Sequence, residues 1–210
     1  MTGLFLTFEG GDGSGKSTQS ALLTEWLTGR GETVVHAREP GGTELGLELR
    51  EIILHRRGYI APRAEALLYA ADRAHNIATV VRPALERGDV VIQDRYLDSS
   101  VAYQGAGRVL STDEVRDLSL WATEGLLPHL TVLLDLDPSL GRERLDASRT
   151  RYDRLEAEAA VFHERVRDAY LALARDEPDR FLVLDATEPV ATLQERIRTR
   201  VSALLDTLTA

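Results

Sequence analysis

Five short apolar runs recur from one end of the chain to the other: LFLTF at 4–8, TVVHA at 33–37, VVIQD at 90–94, TVLLDLD at 131–137 and FLVLD at 181–185. They are rich in Val, Leu and Phe and lack clean polar/apolar alternation, the pattern of strands covered on both faces. The stretches between them are long enough to cross back over a sheet. Parallel strands cannot be joined by a tight turn, so these stretches must supply helical crossovers. The predicted class is α/β: a five-stranded parallel sheet flanked by helices in three layers, one domain over residues 1–210.

The helices carry their own punctuation. One is predicted from Ser17 to about Thr28, stopping near Gly29 and Gly31; another runs from Ala61 to Arg87, with Pro62 in its first turn, Gly88 at its end and a kink expected at Pro83. Phe162, Val166, Ala169, Tyr170 and Leu173 fall on one face of a third helix, which reads as core.

A net charge of -9 opposes coating of nucleic acid or an anionic membrane, so an anionic ligand has to be met by local cations. No cysteine is present, which excludes disulfides and thiolate chemistry and fits a cytoplasmic enzyme. The opening MTGLFLTFEGG holds one brief apolar run without a basic start, predicting neither signal peptide nor membrane span. Histidines 36, 55, 75, 129 and 163 include no i, i+4 pair, which disfavours a histidine metal site.

Between the first strand and the first helix, FEGGDGSGKST at 8–18 matches G-x-x-x-x-G-K-[ST] in full. Gly10, Gly11, Asp12, Gly13, Ser14 and Gly15 let the backbone turn N–H groups inward at a helix N-terminus; with Lys16, Ser17 and Thr18 they form a cradle for nucleotide phosphates. Lys16 is the only lysine beside 24 arginines. A compact ammonium suits an enclosed nest better than a guanidinium. Ser17 is placed to ligate Mg²⁺. A dinucleotide fingerprint fails because its third glycine would fall at Lys16. The ligand read from this loop is ATP or another nucleoside triphosphate.

A guanine-reading Asn-Lys-x-Asp motif is impossible, since Lys16 and Asn76 are the only residues of their kinds. The third strand ends in Gln93-Asp94-Arg95-Tyr96. An aspartate followed by an arginine suggests Asp94 near Mg²⁺ and Arg95 on a second phosphate, as transfer between two phosphates requires. Arg142, Arg144, Arg149, Arg151 and Arg154 cluster around a helix break, predicting a short lid at 142–155. Asp135 and Asp137 end a strand near the site, or cap the helix begun by Pro138.

Together, FEGGDGSGKSTQ (8–19), REPGGT (38–43), EALLYAADRAHN (65–76), DRYLDSSVAYQG (94–105) and DRLEAE (153–158) resemble the motifs of the thymidylate kinase family, in order and over nearly the whole chain. The resemblance implies a P-loop kinase fold and transfer of the γ-phosphate of ATP to dTMP, with Mg²⁺, in a cytoplasmic homodimer that binds neither nucleic acid nor membrane. It implies that Arg95 grips the dTMP phosphate with Arg38 and Arg50, beside Pro40. Tyr69 would stack on thymine where the family more often has phenylalanine. Arg73 would donate to a thymine carbonyl, Gln104 and Ser100 would bond to the base region, and Tyr103 would crowd the sugar's 2′ position. Some members carry an arginine at the place of Gly13; its absence here assigns the transferring group to the lid, to Arg154 first and Arg149 next. Glu9 would act through metal-bound water or orient the acceptor.

Overall fold

Every residue of β1 (Leu4–Glu9) is buried, which a run of Leu, Phe and Thr achieves in the middle of a sheet covered on both faces. In the computed structural model, which describes residues 3–56, 58–108, 110–148 and 152–209, β1 pairs with β3 (Val90–Asp94) on one side and β4 (Leu130–Asp135) on the other. β2 (Val34–Arg38) lies beyond β3, and β5 (Phe181–Asp185) beyond β4. The order β2-β3-β1-β4-β5 is parallel throughout. The chain runs outward to β2, returns to β3, then crosses β1 to β4. The loops after β1 and β3 therefore flank the point where ligands bind in such sheets.

The predicted strands are shifted little. β2 begins and ends one residue later than expected, and β4 stops at Asp135 because Asp137 caps the next helix: its Oδ1 accepts from the Ser139 N–H at 2.9 Å and the Ser139 hydroxyl at 2.6 Å. Asp135 instead makes a two-pronged ion pair with Arg167, at 2.7 and 2.9 Å. The alternatives for these two aspartates thus resolve into separate structural roles.

The helices are α1 (Lys16–Gly29), α2 (Glu44–Arg50), α3 (Pro62–Asn76), α4 (Arg82–Glu86), α5 (Leu97–Ser100), α6 (Thr112–Ala122), α7 (Pro138–Ser148), α8 (Ala160–Asp176) and α9 (Val190–Thr209). The stretch expected as one helix over 61–87 is α3 and α4 joined by a wider π-helical turn, Ile77–Val81. Pro83 lacks an N–H and its ring would collide with the carbonyl one turn back, so the backbone widens just before it. Similar turns extend α2 through Glu51–His55 and α5 through Val101–Gly107.

Successive residues of β1 feed opposite layers. Leu4, Leu6 and Phe8 pack with Leu23 and Leu27 of α1 and with Leu193, Ile197 and Val201 of α9. Phe5 faces Ile77, Val81 and Leu85. Phe162, Val166 and Tyr170 of α8 pack on Leu133 and Tyr103, as the helical stripe predicts. Among the described residues, no helix is long and apolar enough to cross a membrane.

Candidate active site

Beyond β1 the chain turns through Gly10, Gly13 and Gly15 with φ of 133°, 77° and 94°, values that L side chains rarely adopt. Gly15 leads into α1, whose first turn holds no acidic residue, so the positive helix end is unopposed from within. The buried Lys16 donates from Nζ to the carbonyls of Gly10 at 3.0 Å and Gly11 at 2.9 Å. Burial, aided by Arg95, lowers its pKa to about 8 against the pull of Asp12, Asp94 and Glu9. The Ser14 hydroxyl is buried without a hydrogen-bond partner. A phosphate group satisfies such a loop: amides, ammonium and hydroxyl all lack an anion.

β3 ends at Asp94, and Arg95 adopts φ 65°, a left-handed conformation costing a non-glycine residue about 1–2 kcal/mol. Its neighbours impose it. The Arg95 N–H donates to the Phe8 carbonyl at 3.0 Å, and the Tyr96 N–H donates to Glu9 Oε1 at 2.7 Å. The guanidinium then reaches Asp12 Oδ1 at 2.6 Å and Ser99 Oγ at 3.3 Å, and lies 5.0 Å from the centre of the Tyr103 ring. Burial works against the Asp12 charge, but Arg95 and Lys16 outweigh it and hold that carboxyl below its usual range.

Glu9 is wholly buried and also accepts from Ser99 Oγ at 2.6 Å and Tyr170 OH at 2.8 Å. Burial first, then the charge of Asp98, push its pKa up to about 7, opposed by Ser99, Arg95 and Tyr170. The apolar stripe of α8 therefore needs one correction: the Tyr170 ring is core, but its hydroxyl belongs to the site. Asp94 Oδ1 is buried without a hydrogen-bond partner, and Ser17 is exposed at the start of α1. Among the described residues, no group of three or more His, Asp or Glu could hold a metal by itself. A vacant carboxylate oxygen and an exposed hydroxyl at the end of the loop suit an ion that takes its remaining oxygens from phosphate and water, as Mg²⁺ does.

Arg95 also walls a cavity with about 630 Å³ of empty space, open mouth included. Pro40, Arg50, Tyr69, Arg73, Tyr103 and Gln104 share this wall. Tyr69 and Arg73 stand one turn apart on α3. The buried Arg73 donates from Nε to Glu39 Oε2 at 2.7 Å, from Nη1 to Ser119 Oγ at 3.0 Å, and from Nη2 to the Tyr96 carbonyl and Ser100 Oγ, both at 3.1 Å. These bonds account for four of its five N–H groups. Burial pushes Glu39 up to about 7, with Arg73 opposing. Arg50 donates to the Pro40 carbonyl at 2.9 Å. Two expected residues lie outside the wall: Ser100 stands behind Arg73, and the exposed Arg38 donates to the Gly41 carbonyl at 3.1 Å.

The lid follows α7. Arg154 does not reach the phosphate loop: its Nε donates to the Ile53 carbonyl at 2.8 Å and its Nη2 pairs with Glu65 at 2.5 Å. Among the described arginines of 142–155, Arg144 touches the loop, donating to the Gly13 carbonyl at 3.2 Å as well as to that of Ala186 at 3.1 Å. Arg149 and Arg151 lie outside the described residues. Gly13 is constrained by more than its φ. A Cβ there would fall 2.6 Å from the Gly141 carbonyl oxygen, and a Cβ on Gly141 would fall 2.6 Å from that of Asp12. Loop and α7 meet backbone to backbone.

Sequence reasoning passed over Glu39, Glu65, Ser119 and Tyr170. Three sit on helices where they read as solvated or apolar positions. The available signals were the i, i+4, i+8 spacing of Glu65, Tyr69 and Arg73, and a tyrosine hydroxyl in an apolar stripe, which needs a partner once buried.

Comparison with known proteins places this geometry. A family model described as thymidylate kinase matches residues 8–197. The thymidylate kinase of Clavibacter michiganensis subsp. michiganensis is 70% identical over 205 residues, covering 98% of this chain and 97% of that protein. That of Leifsonia xyli subsp. xyli is 72% identical over 199 residues, 95% and 94% of the two chains. That of Deinococcus radiodurans is 53% identical over 200 residues, 95% and 97%.

Proposed function

The chain belongs to the thymidylate kinase family, and from that premise we propose how its residues move the γ-phosphoryl group of ATP onto dTMP, giving dTDP and ADP. Members of the family use ATP as donor and Mg²⁺ as the usual cofactor. The observation that carries the reading is the position of Arg95, bound to Asp12 of the phosphate loop and lining the neighbouring cavity. One fixed cation faces both anions.

The loop amides and Lys16 hold the β and γ phosphates of ATP. Ser17 and Asp94 would hold Mg²⁺, whose charge offsets that of the phosphates when bound. Arg95, with Arg50, holds the dTMP phosphate in line, and Arg38 supports the Pro40–Gly41 turn beside them through the Gly41 carbonyl. An acceptor oxygen then bonds to the γ-phosphorus as its bond to the bridging oxygen of ADP breaks, with no strong base needed because the acceptor is already anionic. Of the two roles open to Glu9, its three donors favour the second: it fixes Ser99 and the backbone after Arg95, and so orients the clamp. Arg154 leaves Ile53 and Glu65 on lid closure to meet the transferring group, with Arg149 next to it in order.

Tyr69 stacks on thymine, the remaining Arg73 N–H donates to a thymine carbonyl with Ser100 fixing Arg73 from behind, Gln104 bonds to the base, and Tyr103 blocks a 2′-hydroxyl. The whole chain acts as one domain in the cytoplasm, as a homodimer. Exposed Leu67 and Trp121, on the adjacent helices α3 and α6, support that pairing. Mg-ATP offered with dTMP, dCMP, UMP or thymidine tests the assignment. dTMP is the expected acceptor; a preference of about tenfold or more for another, or hydrolysis that no acceptor converts into transfer, overturns it.

A further inference from the structure

Glu65 is fully buried at the start of α3 and is absent from the cavity wall. Its carboxylate nevertheless gathers three groups from two separate segments. Oε1 accepts from Gln104 Nε2 at 3.0 Å and Arg108 Nε at 3.3 Å; Oε2 accepts from Arg108 Nη2 at 3.4 Å and pairs with Arg154 of the lid. Arg108 also pairs with Glu158. These contacts fix the buried carboxylate in place, because removing it would leave buried cations uncompensated.

Resting on the placement of thymine beside Gln104, we infer that Glu65 is a positioning residue that sets which end of the Gln104 amide faces the base. A carboxylate only accepts hydrogen bonds, so it draws the NH₂ end of Gln104 toward itself. The carbonyl end is left for the cavity. A carbonyl there accepts from a ring N–H, which thymine carries at N3, and repels the N3 lone pair of cytosine. Without this hydrogen-bond acceptor behind it, the amide turns over at little cost and offers NH₂ instead. Glu65 thereby contributes to base choice without touching the nucleotide.

Glu65→Gln preserves shape and removes the charge. The measurement is kcat/KM for dTMP and dCMP, with ATP in excess, in the wild type, Glu65→Gln, Gln104→Ala and the double variant. The dTMP:dCMP ratio should fall about tenfold in Glu65→Gln, as one base hydrogen bond is lost or inverted. It should fall no further when Glu65→Gln is added to Gln104→Ala. Freeing Arg154 slows both substrates alike, so it leaves the ratio unmoved.

A Glu65→Gln variant that slows both substrates equally overturns the inference and makes Glu65 purely structural. If Gln104→Ala leaves the ratio unchanged, the placement of the base beside Gln104 fails instead, and the inference with it. Should Glu65→Gln not fold, Glu65→Asp, which withdraws the carboxylate by one methylene, should lower the ratio about threefold; an unchanged ratio in that folded variant is equally decisive against it.

Discussion

Around Lys16 the groups offered to a phosphate are largely backbone amides from one uninterrupted stretch, Gly10 to Ser17, whose carbonyls at Gly10 and Gly11 hold the lysine, and the conformation depends on glycines at positive φ. Around Arg95 they are side chains delivered by β3, α3, the helical turn after α5 and the lid, and locked by a second rank of buried partners: Glu9, Glu39, Glu65, Ser119. The donor side can be written in a few consecutive letters, because a backbone nest needs only a local conformation. The acceptor side cannot, because each of its groups depends on a neighbour distant in the chain. A backbone nest also recognises phosphate whatever base it carries, whereas choice among bases needs oriented side chains.

If this division is right, the two sides should fail separately. The largest effect is expected for Lys16→Ala: kcat falls by about a thousandfold or more while the dTMP dissociation constant moves by less than about threefold. A variant with nearly full kcat would remove Lys16 from the centre of the donor side. Next, Arg95→Ala should weaken dTMP binding by about a hundredfold, the scale of a buried charge-assisted contact, and change ATP binding far less. Equal losses for both ligands would mean that the clamp belongs to neither side alone.

A smaller effect links them through pH. Lys16 must be protonated to hold phosphate, and in the free protein burial and Arg95 bring its pKa down to about 8. Since kcat/KM for ATP reports the free enzyme, it should decline as pH rises through 8, by up to about tenfold per unit. Arg95→Ala removes one of the two causes, so the decline should begin at higher pH in that variant. A profile unchanged up to about pH 9.5, or unmoved by the substitution, would show that Lys16 does not govern ATP capture.

Legibility in the sequence followed the same line. The five strands were readable within a residue or two because apolar, two-faced runs have few other homes. Their order was not, since run order says nothing of which strand lies beside which. The phosphate loop was readable from its spacing. Arg73 and Glu65 were not readable from composition, because a charged residue inside a helical pattern looks the same whether it meets water or a buried partner. Arg73 came through family resemblance, and Glu65 only through packing. Arg154 shows the remaining gap: a motif names a lid residue without saying on which side of the site it rests.

The contact between Gly13 and Gly141 restricts how this arrangement could be exchanged for the other one in the family. A side chain at 13 meets not open space but the main chain of α7, and one at 141 meets the main chain of the loop. An arginine cannot be moved into the loop by a single replacement; α7 would have to tilt away first, carrying Arg142 and Arg144 with it. The two glycines therefore form one joint constraint, and a route from lid-borne to loop-borne arginine passes through a change of helix angle before any change of charge.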